Sequence, residues 1–266
     1  RVVIETTGLA DPAPVLQSVL LHPYLSIRYR VDGVVTVVDA VNGLATLDQH
    51  EEAERQAAVA DRIVLTKTDL PGAEPGRLKQ RIAAFNPGVP FLDAAKGEAT
   101  ADALFDIGPF APSAKSEAVR LWLDAADDHD HHHHHDDVNR HDDRIRAFVA
   151  TRDRPILRGA LDGFLERVTA MLGDRLLRLK AIVALAEAPD RPIALNAAQT
   201  VFHPPVALPT WPDADHRSRL VIIGHDLDPR VVDDLLAAFS ATPRLDAPDL
   251  GVLADNPLSI SGFRPL

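Results

Sequence analysis

Short apolar runs alternate with amphipathic stretches over the first part of the chain. Residues 2–4, 34–38, 63–65 and 89–92 are brief, rich in β-branched side chains and bounded by polar or turn residues, the mark of buried strands. Asp11-Pro12 supplies an N-cap and a proline for the first helical position, opening a helix that runs to about Leu21. Residues 46–60 and 75–85 carry helical spacing as well. Strands separated by helices predict βαβ units and a parallel sheet covered on both faces.

The pattern fails between about residues 109 and 143, where Asp and His replace apolar side chains. Such a stretch has too little apolar surface to offset its ordering entropy, so it reads as a linker. Periodicity returns at residue 144. Strands are predicted at 145–150, 176–185, 193–197 and 220–223, with helices at 159–172 and 229–239. The expected fold is therefore α/β: a partial parallel sheet over 1–108, the linker over 109–143, a smaller α+β domain over 144–243, and a tail over 244–266. The second domain should carry its helices on one face of its sheet.

Composition narrows the function. The 266 residues have a net charge of −11, which argues against a general nucleic-acid surface, since phosphate neutralisation needs clustered Lys and Arg. The chain contains no Cys, so it can form neither a disulfide framework nor a thiolate metal site. No apolar run is long enough to span a membrane, and no signal peptide is visible ahead of the first strand. A cytoplasmic location is the default expectation. Self-association is left open.

Candidate chemistry gathers at two strand ends. Glu5-Thr6-Thr7-Gly8 and Thr66-Lys67-Thr68-Asp69 each follow a strand, at the carboxyl edge where α/β sheets place ligands. The Glu5 carboxylate suits Mg²⁺, a hard cation that prefers oxygen. Gly8 lets the backbone approach a γ-phosphate closely. Asp69 can accept hydrogen bonds from the ring N–H and exocyclic amine of guanine, a donor pair adenine lacks. The Lys67 stem can cover the purine face while its ammonium stays solvated. Ala94-Ala95-Lys96 follows the next strand and offers a backbone N–H, at Ala95 or Lys96, to the guanine oxygen.

Residues 4–12 (Ile-Glu-Thr-Thr-Gly-Leu-Ala-Asp-Pro) resemble the Walker-B-like segment of the CobW-type GTPases, a metal-handling group of P-loop NTPases. Residues 33–40 and 60–69 are similar to the next two blocks of that family. Residues 174–180 and the strand at 220–224 resemble its C-terminal domain. The resemblance covers about residues 1–240. It implies hydrolysis of GTP with Mg²⁺, coupled to delivery of a transition metal, most often Zn²⁺ and in some members Co²⁺, to an apo-metalloprotein client. It further implies that Glu5 sits near Mg²⁺, Gly8 near the γ-phosphate, and Thr66, Lys67 and Asp69 at the base. The family's phosphate loop, G-x-x-x-x-G-K-S/T, and its Cys-x-Cys-Cys metal motif do not occur in these residues. Both belong upstream of Glu5 in the family, so truncation is the expected reason, and the chain alone is expected to be inactive as a GTPase.

The linker adds a second chemical feature. His129, His131, His132, His133, His134 and His135 stand among aspartates, and neutral imidazoles suit Zn²⁺, Ni²⁺, Co²⁺ and Cu²⁺. Such a run binds metal without fixed geometry, and less well below about pH 6.5. His50, His203, His216 and His225 read as packing or surface residues, and Trp211 as a packing anchor. Three functions are thereby in play: a GTP-dependent metal chaperone or insertase, a metal-buffering protein that uses the His-Asp linker alone, and a protein-docking module.

Overall fold

The computed structural model of the chain describes residues 1–105, 144–199 and 201–240. Its first part forms a three-stranded parallel sheet in the order β1 (Val35–Asp39), β2 (Arg62–Thr66) and β3 (Phe91–Asp93). The crossover from β1 to β2 uses α3 (Gly43–Gln49) and α4 (Glu51–Val59), and that from β2 to β3 uses α5 (Pro75–Phe85). Ahead of the sheet lie α1 (Ala13–Leu21) and α2 (Pro23–Arg28), and α6 (Ala101–Leu104) follows it. The first helix starts at Ala13, one residue later than its sequence signal places it, with Pro12 at the N-cap position and Asp11 accepting a hydrogen bond from the Ala13 N–H at 2.9 Å.

Register places Thr36 beside Ile63 and Val38 beside Leu65, on one face of the sheet. That face packs against Leu47, Ala57, Leu78, Ile82 and Phe85 of the three crossover helices. Gly43 permits the close approach: a Cβ there would lie 2.9 Å from Val38 Cγ1 and 3.0 Å from Leu78 Cδ2. Val59, Ala60 and Asn86 complete the layer, with the Asn86 amide donating to the carbonyls of Ala57 and Ala60 at 2.8 and 3.1 Å.

Three sequence expectations need correction here. Residues 2–4 form no strand: Val2, Val3 and Ile4 are 65%, 72% and 58% exposed, because a strand needs a ladder partner and none of the described residues supplies one. Residues 46–60 are not one helix. The chain breaks at His50, whose extended backbone (φ −130°, ψ 110°) ends α3 and starts α4. Nor is the parallel sheet covered on both faces, since Val35 and Val37 on the second face are 37% and 63% exposed.

The second part is a six-stranded sheet in the order β4 (Ile145–Arg152), β9 (Ser218–His225), β5 (Leu176–Leu185), β6 (Ala188–Ala198) and β7 (Val201–Phe202), with β8 (Val206–Ala207) also on β6. Every pairing between these strands is antiparallel. Its own helices, α7 (Arg158–Leu172) and α8 (Pro229–Ser240), bury Phe164, Val168, Leu235 and Phe239 against Leu179, Val183, Leu195 and Ile222 on one face. The expected α+β domain with helices on one face is what forms. The opposite face is not open, because Ile145, Ile182, Val221 and Ile223 share a single core with α4, β2 and α5.

A buried polar cluster crosses that shared core. Asp61, just ahead of β2, pairs with the Arg178 guanidinium and lies 3.6 Å from the Lys180 ammonium, both on β5. Arg178 also donates to the Val59 carbonyl and to Asn196 Oδ1 at 3.3 Å. Burial pushes the Asp61 carboxyl up, but the Arg178 and Lys180 charges outweigh it and hold the group below its usual value. Burial and the adjacent Arg178 lower Lys180 to about 8. His203 is buried on the same side, and desolvation, then the Arg178 charge, lowers its pKa.

Candidate nucleotide-binding site

The carboxyl ends of β1, β2 and β3 converge on two loops. After β2 the backbone turns at Lys67, whose φ of 59° lies in the left-handed region that non-glycine residues seldom occupy. Its ammonium is tied to Asp39 Oδ2, at the end of β1, at 2.6 Å. That carboxylate also accepts from the Val41 and Asn42 N–H groups and the Asn42 amide, at 2.7, 3.2 and 3.0 Å. Hydrogen bonds from Lys67 first and Asn42 second hold Asp39 well below the usual carboxylate range. Lys67 remains half exposed, and its ammonium is paired with Asp39 as well as facing solvent.

Thr68 points across the sheet edge, its hydroxyl donating to Asp93 Oδ1 at 2.6 Å. Asp93 ends β3 and is 5% exposed. The same oxygen accepts from the Ala95 N–H at 3.1 Å, and Oδ2 lies 3.0 Å from the Lys96 ammonium. The Thr68 hydrogen bond, ahead of Lys96, lowers the Asp93 pKa. Glu98 closes the loop by accepting from the Asp93 N–H at 2.8 Å. Asp69 stands apart from this web: it is exposed, and its carboxylate meets no hydrogen-bond or ion-pair partner among the described residues.

The fold thus brings Thr66, Lys67, Asp69, Ala95 and Lys96 to one edge. Sequence reasoning missed the residues that join them, Asp93 and Asp39. A carboxylate ending each apolar strand run was the available signal. One expectation changes in detail. The N–H groups of Ala94, Ala95, Lys96 and Gly97 all have protein partners, so a guanine oxygen would share or displace a bond already made, such as Ala95 to Asp93.

Glu5 and Gly8 belong to a second group. Both are exposed, and the turn at Thr7–Ala10 is closed by a 3.0 Å hydrogen bond. Gln56 on α4 clamps it, its amide donating to the carbonyls of Gly8 and Ala10 at 2.9 and 2.7 Å, while Arg55 lies 3.6 Å from Asp11. Gly8 has an ordinary φ, and a Cβ there would meet nothing within 4 Å. Packing therefore does not demand glycine at this position. Glu5 offers an exposed carboxylate of the type Mg²⁺ takes, with waters and phosphate oxygens left to complete the shell.

No group of three or more His, Asp or Glu converges on a possible metal position among the described residues. The candidate ligands His129, His131, His132, His133, His134 and His135 lie outside the described residues. No described helix is long and apolar enough to cross a membrane.

Comparison with known proteins agrees with this layout. The CobW/HypB/UreG nucleotide-binding domain matches residues 1–93, and the cobalamin synthesis protein CobW C-terminal domain matches residues 145–240. The chain is 30% identical to the zinc chaperone YjiA of Escherichia coli over 242 residues, covering 90% of this chain and 70% of that protein. A shorter match, 40% identical over 75 residues, links it to the zinc-regulated GTPase metalloprotein activator 1 of Schizosaccharomyces pombe, covering 28% of this chain and 18% of that protein. In three dimensions it resembles the crystal structure of Zn(II)-bound YjiA GTPase from E. coli, with a TM-score of 0.64 and 29% identity, covering 87% of this chain and 67% of that one. A CobW-type nucleotide-binding half packed on a CobW C-terminal domain, with a relative of that length and identity, means that this chain belongs to the CobW family.

Proposed function

We propose that the protein is a GTP-dependent metal chaperone, acting on zinc and handing it to an apo-metalloprotein client in the cytoplasm. The carrying observation is the sheet edge where Asp93 holds the Thr68 loop against the Ala95–Lys96 loop and leaves the Asp69 carboxylate exposed for a base. A carboxylate with no protein partner among the described residues, beside an ordered loop at the end of a parallel sheet, suits the donor pair of guanine. The kinship with a zinc chaperone and with a zinc-regulated GTPase activator supports the coupling of nucleotide to zinc.

In this reading Gly8 lies by the γ-phosphate and Glu5 by Mg²⁺, which supplies charge neutralisation at the phosphates when bound. Gln56 holds the Gly8 turn in register on α4. The sequence G-x-x-x-x-G-K-S/T does not occur in the 266 residues, so these residues alone should hydrolyse GTP negligibly. Zinc is cargo, and the imidazoles of residues 129–135 are its first store.

Calorimetric titration of Zn²⁺ into this chain and into a variant lacking residues 127–137 tests the zinc assignment. Tight binding that the deletion abolishes is the expected result. Undiminished binding would move the store to folded residues, and no binding by either chain would refute a zinc store in these residues. Zinc binding in a chain that shows no guanine-nucleotide binding would favour the buffering alternative, in which the His-Asp linker acts without a GTPase.

A further inference from the structure

We propose that Asp93 is a positioning residue for base recognition: it sets the exposed Asp69 carboxylate in register with the Ala95–Lys96 loop. The inference rests on the reading of this edge as a guanine site and assigns the element that gives it selectivity. Two loops from different strands must present their groups to one small base. The ladder aligns their strand ends, with Leu65 beside Asp93 and the Ala94 N–H donating to the Leu65 carbonyl at 2.9 Å, but it stops short of Thr68 and Asp69. The Asp93 side chain spans them. One oxygen takes the Thr68 hydroxyl at 2.6 Å and the Ala95 N–H at 3.1 Å, and the other takes the Lys96 ammonium at 3.0 Å.

Thr68 lies between the two residues read as base-contacting, so a fixed hydroxyl at 68 constrains the backbone on both sides. Asp93 is itself held, its N–H donating to Glu98 and its carbonyl accepting from the Lys96 and Glu98 N–H groups at 3.2 and 3.1 Å. A short, charge-assisted bond from a buried carboxylate is among the stronger tethers available. Asp93 has no role as a base contact in this arrangement, because its oxygens are occupied by protein donors. Placement of a reading group within a fraction of an ångström decides whether both guanine donors are met, and a loosened loop meets one or neither.

The test compares GDP with IDP, which differ by the exocyclic amine that Asp69 would accept from. Titrating each into isotope-labelled chain and following backbone amide shifts by NMR reads even millimolar affinities. The wild-type chain should prefer GDP by about tenfold or more, the typical effect of one hydrogen bond to a charged group. Thr68→Val, nearly isosteric, and Asp93→Ala should both shrink that preference below about threefold. Asp93→Asn keeps an acceptor for Thr68 and Ala95 and should retain most of it. If Thr68→Val and Asp93→Ala weaken both nucleotides in proportion, with the ratio intact, the positioning role is overturned.

Thr68→Val carries the test if Asp93→Ala fails to fold, since it removes one hydroxyl and leaves the carboxylate and Lys96 in place. The underlying reading fails separately. Asp69→Asn should move preference toward XDP, whose second oxygen accepts from an amide. Absence of any GDP preference in wild type, or an Asp69→Asn chain with unchanged selectivity, would refute the guanine site itself.

Discussion

Removing Arg178 should reveal how far the two domains depend on one another. In wild type its side chain is 2% exposed, and its guanidinium pairs with Asp61 and donates to the Val59 carbonyl and to Asn196. Arg178→Met keeps the length of the stem and much of its packing but leaves Asp61, whose side chain is 7% exposed, with Lys180 at 3.6 Å as its nearest cation. Breaking a buried pair from one side costs about 3–5 kcal/mol, because the remaining charge stays desolvated. The surviving Lys180 puts this case near the lower figure. With a urea slope of roughly 3 kcal/mol per molar, the midpoint should fall by about 1 M.

Trp211 is the probe. It is buried in the core that both domains share, and its indole N–H donates to the Pro189 carbonyl at 3.0 Å. Replacing Trp122 with Phe leaves Trp211 as the single tryptophan, and far-ultraviolet circular dichroism follows the helices of both domains. Adding Asp61→Asn to Arg178→Met should recover part of the loss, since the orphaned charge is gone. A midpoint shift below about 0.3 M would show that the pair behaves like an exposed one, worth 0–1 kcal/mol, and would refute the argument.

Three further outcomes follow from other contacts. Gln56→Ala should speed hydrogen exchange at the Ala10 amide, because the turn at Thr7–Ala10 loses both bonds from α4, while exchange in β5 stays unchanged. Gly224→Ala should destabilise by at least about 2 kcal/mol in chemical denaturation, since its Cβ would sit 2.6 Å from the Arg175 carbonyl oxygen and 2.5 Å from Leu227. Lys180 is lowered to about 8, so the unfolded chain binds the proton more tightly and this residue makes stability rise with pH between about 8 and its unfolded value near 10.4. A wild-type minus Lys180→Met stability difference that stays flat across that window would refute it.

Most of the longer strands and helices could be read directly from the sequence, whereas the short α2, α6, β7 and β8 carry too few residues for a periodic signal. Runs such as Ile63–Leu65 have one stable use, a buried strand, and Pro75 marks the first turn of α5. The same holds for the position of Lys67, Asp69, Ala95 and Lys96, which follow the ends of β2 and β3. What failed were features requiring a partner. Residues 2–4 are as apolar as the strands that formed, yet a strand exists only as a member of a ladder. The break at His50 was equally hidden, since helical spacing continues on both sides of it while the packing of α3 and α4 onto one sheet face needs a corner.

The alternation in β5 shows why the interface was the hardest part to see. Arg178 and Lys180 share a face with Ile182 and Ala184, while Leu179, Ala181 and Val183 share the other. Read alone, two cations at period two mark a solvent-facing side. In the folded chain that side meets α4, β2 and α5, and Asp61 neutralises the cations from across the boundary. Asp61 reads with no more clarity, as a polar residue ahead of an apolar strand. Neither half of the pair has a sequence signature, because each is an ordinary surface residue until the other domain covers it. Their burial also requires one arrangement of the domains, since a small slip would leave Asp61 desolvated without Arg178. An apolar interface of similar area would tolerate such a slip, so this cluster contributes to the fixed placement of the nucleotide-binding half on the C-terminal sheet.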